Sequence, residues 1–339
     1  MNQQNIASTY NSIFYRLTAL WVVCESFAGG IMHGIKMPFT GMLVSSLAVV
    51  CITLIAYYVP SKGSILKATI IVAIFKFMLS PHSPPTAYIA VFFQGLLGEL
   101  LFLNKRFFTL SAIVLAVFAL VESAIQRILV LMIIYGNNFW KAIDEFLQKV
   151  LHQKNLTNYS AILAGVYILI HAITGLFVGY YSAKIIRKVP VWKSAYPQFI
   201  FSENGNQENI LVKKKKKKFK IIFIVLFIFL AGLYIQSVLN PSNSILPKGE
   251  VVQITVRSIL ILTIWYFLAA PLLMRGIKYI LSKQTSKKQE GINSVKALLP
   301  ETKNIFIQSW QHSAIQNGIK RLKLFLKILL INILVDRAA

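Results

Sequence analysis

The sequence predicts an all-α polytopic membrane protein: a six-helix transmembrane bundle, then two further transmembrane helices and a basic amphipathic cytoplasmic tail. Three observations carry this. Of the 339 residues, 56% are hydrophobic and only 14% charged, against roughly 45–50% and about 25% in soluble domains. Apolar runs of about 18 residues or more, long enough to cross a bilayer, recur along the chain. The 36 Lys+Arg outnumber the 11 Asp+Glu to give a formal charge of +25, and the cations gather at the ends of the apolar runs. That pattern marks cytoplasmic loops and contact with anionic lipid headgroups. Nucleic-acid binding is not expected, because no aromatic-and-basic surface module is left once the spans are removed.

The first six spans are expected at 17–35, 40–59, 64–80, 85–103, 108–135 and 159–182, each near the ~20 residues a helix needs to cross ~30 Å of hydrocarbon. Turn chemistry separates them at Lys36-Met37-Pro38, Pro60-Ser61-Lys62-Gly63 and Ser80-Pro81-His82-Ser83-Pro84-Pro85, where proline removes backbone donors. Between the fifth and sixth spans, Phe139, Ile143, Phe146, Leu147 and Val150 recur at helical spacing in a polar stretch, which predicts a helix lying at the interface. Met1 to Tyr15 lacks the basic region of a secretory signal, so the first apolar run is expected to stay in place as a helix. Cys24 and Cys51 lie inside apolar runs with no CxxC or Cys/His spacing, and neither a disulfide framework nor a metal centre is expected.

With a cytoplasmic N-terminus, Arg16, Lys62, Lys67, Lys105, Arg106, Lys184, Arg187, Lys188 and Lys193 all fall on the inside, as the positive-inside rule requires. Four segments follow: a six-span bundle over 1–190, a cytoplasmic polybasic linker over 191–218 that ends in six lysines (Lys213 to Lys218), a two-span hairpin over 219–281, and a tail over 282–339. In the tail Ile315, Ile319, Leu322, Leu326, Leu329 and Ile333 form an apolar stripe beside Gln316, Lys320, Lys323 and Lys327. Such a helix can lie on the cytoplasmic leaflet or dock into an apolar groove on a partner.

Ionisable groups at membrane depth cost roughly 2.5–3.5 kcal/mol each, so those in the first six spans must find partners or a cavity. They are Glu25, His33, Lys76, Glu99, Glu122, Arg127 and His171, with the polar Gln94 and Gln126. A pocket open to the outside would draw on His33, Lys76, Gln94, Gln126 and Arg127, with Glu25 and Glu122 balancing the cations. The alternative is a set of buried ion pairs, Glu25 with Lys76 and Glu122 with a neighbouring cation, that only fix helix register. Small-residue faces at Gly30/Gly34, Gly175/Gly179, Gly95/Gly98 and Ala112/Ala116/Ala119 predict close helix packing, within the bundle or against another subunit.

The six-span layout, the small-residue faces and the stretch Pro84-Pro85-Thr86-Ala87-Tyr88-Ile89-Ala90-Val91-Phe92-Phe93-Gln94-Gly95-Leu96-Leu97-Gly98 make the first ~190 residues resemble an S component. This is the substrate-capturing membrane subunit of energy-coupling-factor (ECF) importers. The resemblance implies capture of a small vitamin-like or metal-ion solute, with a transmembrane coupling subunit and cytoplasmic ATPases as partners. Where many S components carry AxxxA in the first helix, this chain has Gly30-Ile31-Met32-His33-Gly34. The two later spans and basic tail faintly resemble the end of a T component, with Met274-Arg275-Gly276 partly matching its Ala-Arg-Gly motif.

No HExxH, GxSxG, Walker loop or DxxxD pair occurs in the chain, so neither enzymatic activity nor a cofactor is expected; a lipid-modifying enzyme using Glu122 or His171 is the least favoured class. The expected function is solute capture for uptake, energised by a partner. Its rival is a non-transporting scaffold that recruits a cytoplasmic partner through the basic tail. The abundance of Lys, Asn and Ile suits a bacterium with an AT-rich genome, whose inner membrane is the expected location.

Overall fold

The structure is a computed structural model that describes residues 3–28, 39–80, 83–152, 158–201, 250–264 and 286–335, with scattered positions between 228 and 279. His33, the Gly30/Gly34 pair, the lysine run and most of the two later spans lie outside the described residues. Among the described residues the secondary structure is helical, without strands. Three helices are long and apolar enough to cross a membrane: Thr40–Tyr58, Phe108–Gly136 and Tyr159–Ile186.

The chain forms two compact units: Met1–Gln126 with Gly165–Asn206 and Lys283–Ala339, and Arg127–Ala164 with Gln207–Ser282. In the first, α1 (Gln3–Val23) runs into one π-helical turn, Cys24–Ala28, followed by α2 (Thr40–Tyr58), α3 (Ser64–Leu79) and α4 (Pro85–Leu101). The first part of α5 (Phe108–Val150), most of α6 (Tyr159–Ile186) and the short α7 (Val189–Ala195) belong here too. The bounds of α2, α3, α4 and α6 fall close to the expected segments, because the Pro- and Gly-bearing turns end helices where their backbones cannot continue, whereas α1 starts at Gln3 where 17 was expected and α5 runs past 135 to Val150. Successive helices alternate in direction. Tyr58 donates to the Ile186 carbonyl at 3.0 Å and Arg187 to Thr109 at 3.0 Å, so the ends of α2 and α6 and the start of α5 share one end of the unit.

The core centres on Leu17, Trp21, Ile52, Leu54, Ile55, Leu115 and Leu120, each essentially inaccessible. Cys24 and Cys51 are buried in it as free thiols. In lipid the apolar faces gain little from leaving water, so close van der Waals contact supplies the association. The small-residue faces provide it. A methyl group on Gly179 would sit 2.5 Å from Ile113 Cα, and one on Gly175 would sit 2.7 Å from Val117 Cα; the GxxxG of α6 therefore packs on the backbone beside Ala112 and Ala116. Gly98 admits Ile52, and Gly95 admits Thr69.

α8 (Ser286–His312) and α9 (Gly318–Ile333) fold back into this same unit. α8 lies along α1, with Tyr15 closing over Gly291 and the Arg16 guanidinium donating to the Val335 carbonyl. Phe325, Leu329, Leu330 and Ile333 join the core of the amino-terminal helices. The carboxyl half of the expected apolar stripe is therefore covered by this chain itself, while Ile315, Ile319 and Leu322 stay exposed. α1 begins at Gln3, well before the apolar run expected from 17.

In the second unit, α5 kinks at Gly136 (φ 69°), where the left-handed backbone favours glycine, and continues to Val150. Asp144 of this extension accepts from the Ser160 amide at 2.6 Å and from its hydroxyl at 3.0 Å, a carboxylate placed on the first turn of α6 where the free amides and the helix dipole favour it. The helix expected at the interface between the fifth and sixth spans is thus present over part of its range. A further helix, Glu250–Ile264, carries Arg257.

Candidate functional site

The widened turn Cys24–Ala28 directs Glu25 toward α3, where Lys76 lies one turn before the helix ends. Lys76 Nζ donates to Glu25 Oε2 at 2.6 Å and to the Ala87 carbonyl at 3.3 Å. Both side chains are sealed, at 7% and 3% exposure. Each charge offsets the desolvation that would make the other untenable. Ser80 donates to the Ser26 carbonyl at 3.4 Å, fastening the same two segments.

Deeper in the bundle, Gln94 on α4 donates from Nε2 to Ser45 Oγ on α2 at 3.1 Å, while its Oε1 is buried with no partner among the described residues. Glu122 accepts from Gln126 one turn on, and its second oxygen is likewise buried and unanswered. The helices that carry these two groups both touch α2, through Ser45 and Gly41. Gly41 abuts Ser123, the residue after Glu122, and Ser45 lies one turn beyond Gly41 on the same face of α2.

His171 on α6 is fully buried. Its Nδ1 lies 2.8 Å from the Tyr167 carbonyl, a contact in which Nδ1 donates, so that only Nε2 remains to be answered. That nitrogen also lacks a partner among the described residues. A buried polar atom without a partner costs about 1–3 kcal/mol; among the described residues the same unit holds others in that state, Trp21 Nε1, Ser26 Oγ, Tyr88 Oη and Ser309 Oγ among them, and each calls for an explanation.

Of the expected pocket residues, Gln126 is hydrogen-bonded to the expected balancing group Glu122 and Gln94 to Ser45. Lys76 is committed to Glu25. Arg127 belongs to the second unit and its side chain is exposed, and His33 lies outside the described residues. Among those residues no group of three or more His, Cys, Asp or Glu is placed to share a metal ion.

Sequence reasoning missed the role of Glu99. From the end of α4 it accepts from the amides of Gly63, Ile65 and Leu66 at 2.6, 3.1 and 3.2 Å, answering the N-terminus of α3 with a carboxylate from another helix. The signal was present: an acidic residue at an apolar helix end, opposite a turn with no Ser, Thr, Asp or Asn at the cap.

It also missed Asn332. Fully buried on α9, this side chain donates to the carbonyls of Phe199 at 2.7 Å and Ile328 at 2.9 Å, and accepts from the Phe201 amide at 2.8 Å. Lys327 lies over the Tyr196 and Trp192 rings at 3.9 and 5.6 Å. The segment after α6 is thereby fastened to α9. Comparison of the chain with protein-family models, with curated proteins and with solved structures gave no match.

Proposed function

We propose that the chain is a non-enzymatic membrane transport subunit whose amino-terminal bundle captures a small solute, vitamin-like or metal-ion in class, for uptake energised by a partner. In this reading it is a multi-pass inner-membrane protein with six spans followed by two, and both ends are cytoplasmic. The resemblance to ECF S components supplies the partners, a transmembrane coupling subunit and cytoplasmic ATPases.

The observation that carries the reading is that Gln94 and Glu122 each keep a buried, unanswered oxygen among the described residues of the bundle, since polar and ionisable groups held at membrane depth commonly mark a solute path. Orientation is supported by Lys62, Lys67, Arg106 and Arg187 lying near the end of the unit where Tyr58 meets Ile186. Mass spectrometry of small molecules co-purifying with the detergent-extracted protein tests it. A solute present with the wild type and depleted at least tenfold in Gln94→Leu and Glu122→Gln supports capture; a wild type that carries no solute, or variants that retain it unchanged, refutes it.

The closed Glu25–Lys76 pair and the docked α9 favour the second reading, a non-transporting scaffold in which buried charge only fixes the bundle. Pull-down of a cytoplasmic partner that depends on 286–335, by a protein that carries no solute, would establish it.

A further inference from the structure

Where α2 gives way to α3, the chain leaves a cavity of about 460 Å³, within the range of small-ligand sites. Phe14 and Val59 form its apolar floor. Asn11, Ser61, Lys62 and Lys67 are exposed around it, and the one carboxylate bonded to a lining residue among those described, Glu99 on the Gly63 amide, is engaged by three amides of α3. Lys67 lies over the rings of Phe14 at 4.9 Å and Tyr15 at 5.4 Å, which sets one of the two ammonium groups beside the apolar floor. The α3 N-terminus takes no part in the argument, because Glu99 already answers its amides.

The depth of the cavity is set by the helix it adjoins. Thr40–Tyr58 has 19 residues, about 28 Å at 1.5 Å per residue, so each of its ends reaches a headgroup layer. Tyr57 and Tyr58, side by side at 5.0 Å between ring centroids, suit such a boundary. Two cations, a hydroxyl and an amide around an apolar floor at headgroup depth match a phosphoryl group that carries an apolar body.

We propose that this cavity binds a phosphate-bearing anion, supplied either as the headgroup of an anionic phospholipid or as a soluble phosphoester. The site is separate from the solute-capture residues proposed above and stands or falls independently of them.

Native mass spectrometry of the full chain in detergent tests it, with phosphatidylglycerol, phosphatidylcholine and glycerol phosphate as probes. The wild type is expected to retain phosphatidylglycerol over phosphatidylcholine. K62A/K67A should lower that retention about 30-fold, each interfacial lysine contributing roughly fivefold, and S61E should lower it by putting a carboxylate on the rim. K62R/K67R should retain it, as should K296A/K323A, which removes exposed charge elsewhere. Loss of glycerol phosphate binding in the same variants, with no preference among lipids, assigns the site to the soluble source. Equal retention of the two lipids with no phosphoester binding, or unchanged retention in K62A/K67A, overturns the proposal. All the substituted rim positions are exposed, and an unchanged melting temperature separates loss of binding from loss of fold.

Discussion

Lys76 and Glu25 meet at 2.6 Å with both side chains sealed from solvent. The two segments that carry them, the π-helical turn after α1 and the last turn of α3, are held together by charges that neither could bury alone. Removing one partner leaves the other uncompensated, which typically costs about 3–5 kcal/mol, whereas replacing both with apolar groups of similar size is often neutral. Lys76→Met and Glu25→Leu should each lower the thermal midpoint of the detergent-extracted protein sharply, and the double variant should recover most of the loss. A double variant as unstable as the singles would contradict the pairing. Its solute binding also tells whether Lys76 has any role beyond the pair.

Glu99 offers a second test. Glu99→Gln keeps the shape but gives up the charge facing three amides of the α3 N-terminus, and should cost about 1 kcal/mol. Glu99→Ala leaves those amides without the carboxylate and should cost more. Chemical denaturation of the two variants checks the order; equal stability of all three proteins would deny the cap.

Gly179 and Gly165 lie on the same helix in opposite circumstances. A side chain at Gly179 meets the backbone of Ile113 and Ala112, whereas one at Gly165 meets nothing within 4 Å. Gly179→Ala should destabilise the protein by about 1–3 kcal/mol through overpacking. Gly165→Ala should be neutral or stabilising by up to about 1 kcal/mol, since alanine loses less backbone freedom in a helix. Melting curves that rank them the other way would refute the α5–α6 packing.

Asn332→Leu leaves the Phe199 carbonyl and the Phe201 amide without the side chain that answers both. The expected loss is about 1–3 kcal/mol, concentrated locally, so limited proteolysis should cut near 196–201 and within α9 faster than in the wild type, with the membrane helices still protected. An unchanged digestion pattern would show that the fastening is incidental.

The helices of the bundle were legible because apolar length and Pro or Gly turns depend on local chain chemistry. The close contact of Gly175 and Gly179 with the preceding span was also written in small-residue spacing, and Glu25 with Lys76 was one of two readings their cost allowed. What was not legible depends on partners distant in sequence. The stripe on α9 announces an apolar face but not what covers it, and its carboxyl half turns out to be buried in this chain's own helical core. Asn332 looked like an ordinary polar residue in a tail, because nothing in its own neighbourhood names Phe199 and Phe201 as the groups it serves.

The contact between Arg16 and Val335 joins positions 319 residues apart. At synthesis rates of about 5–20 residues per second, Arg16 emerges roughly 15–60 s before its partner Val335. During that interval the uncovered flank of α1 is open to chaperones and proteases. A chain cut short before α8 would leave α1 without the helix that packs along it.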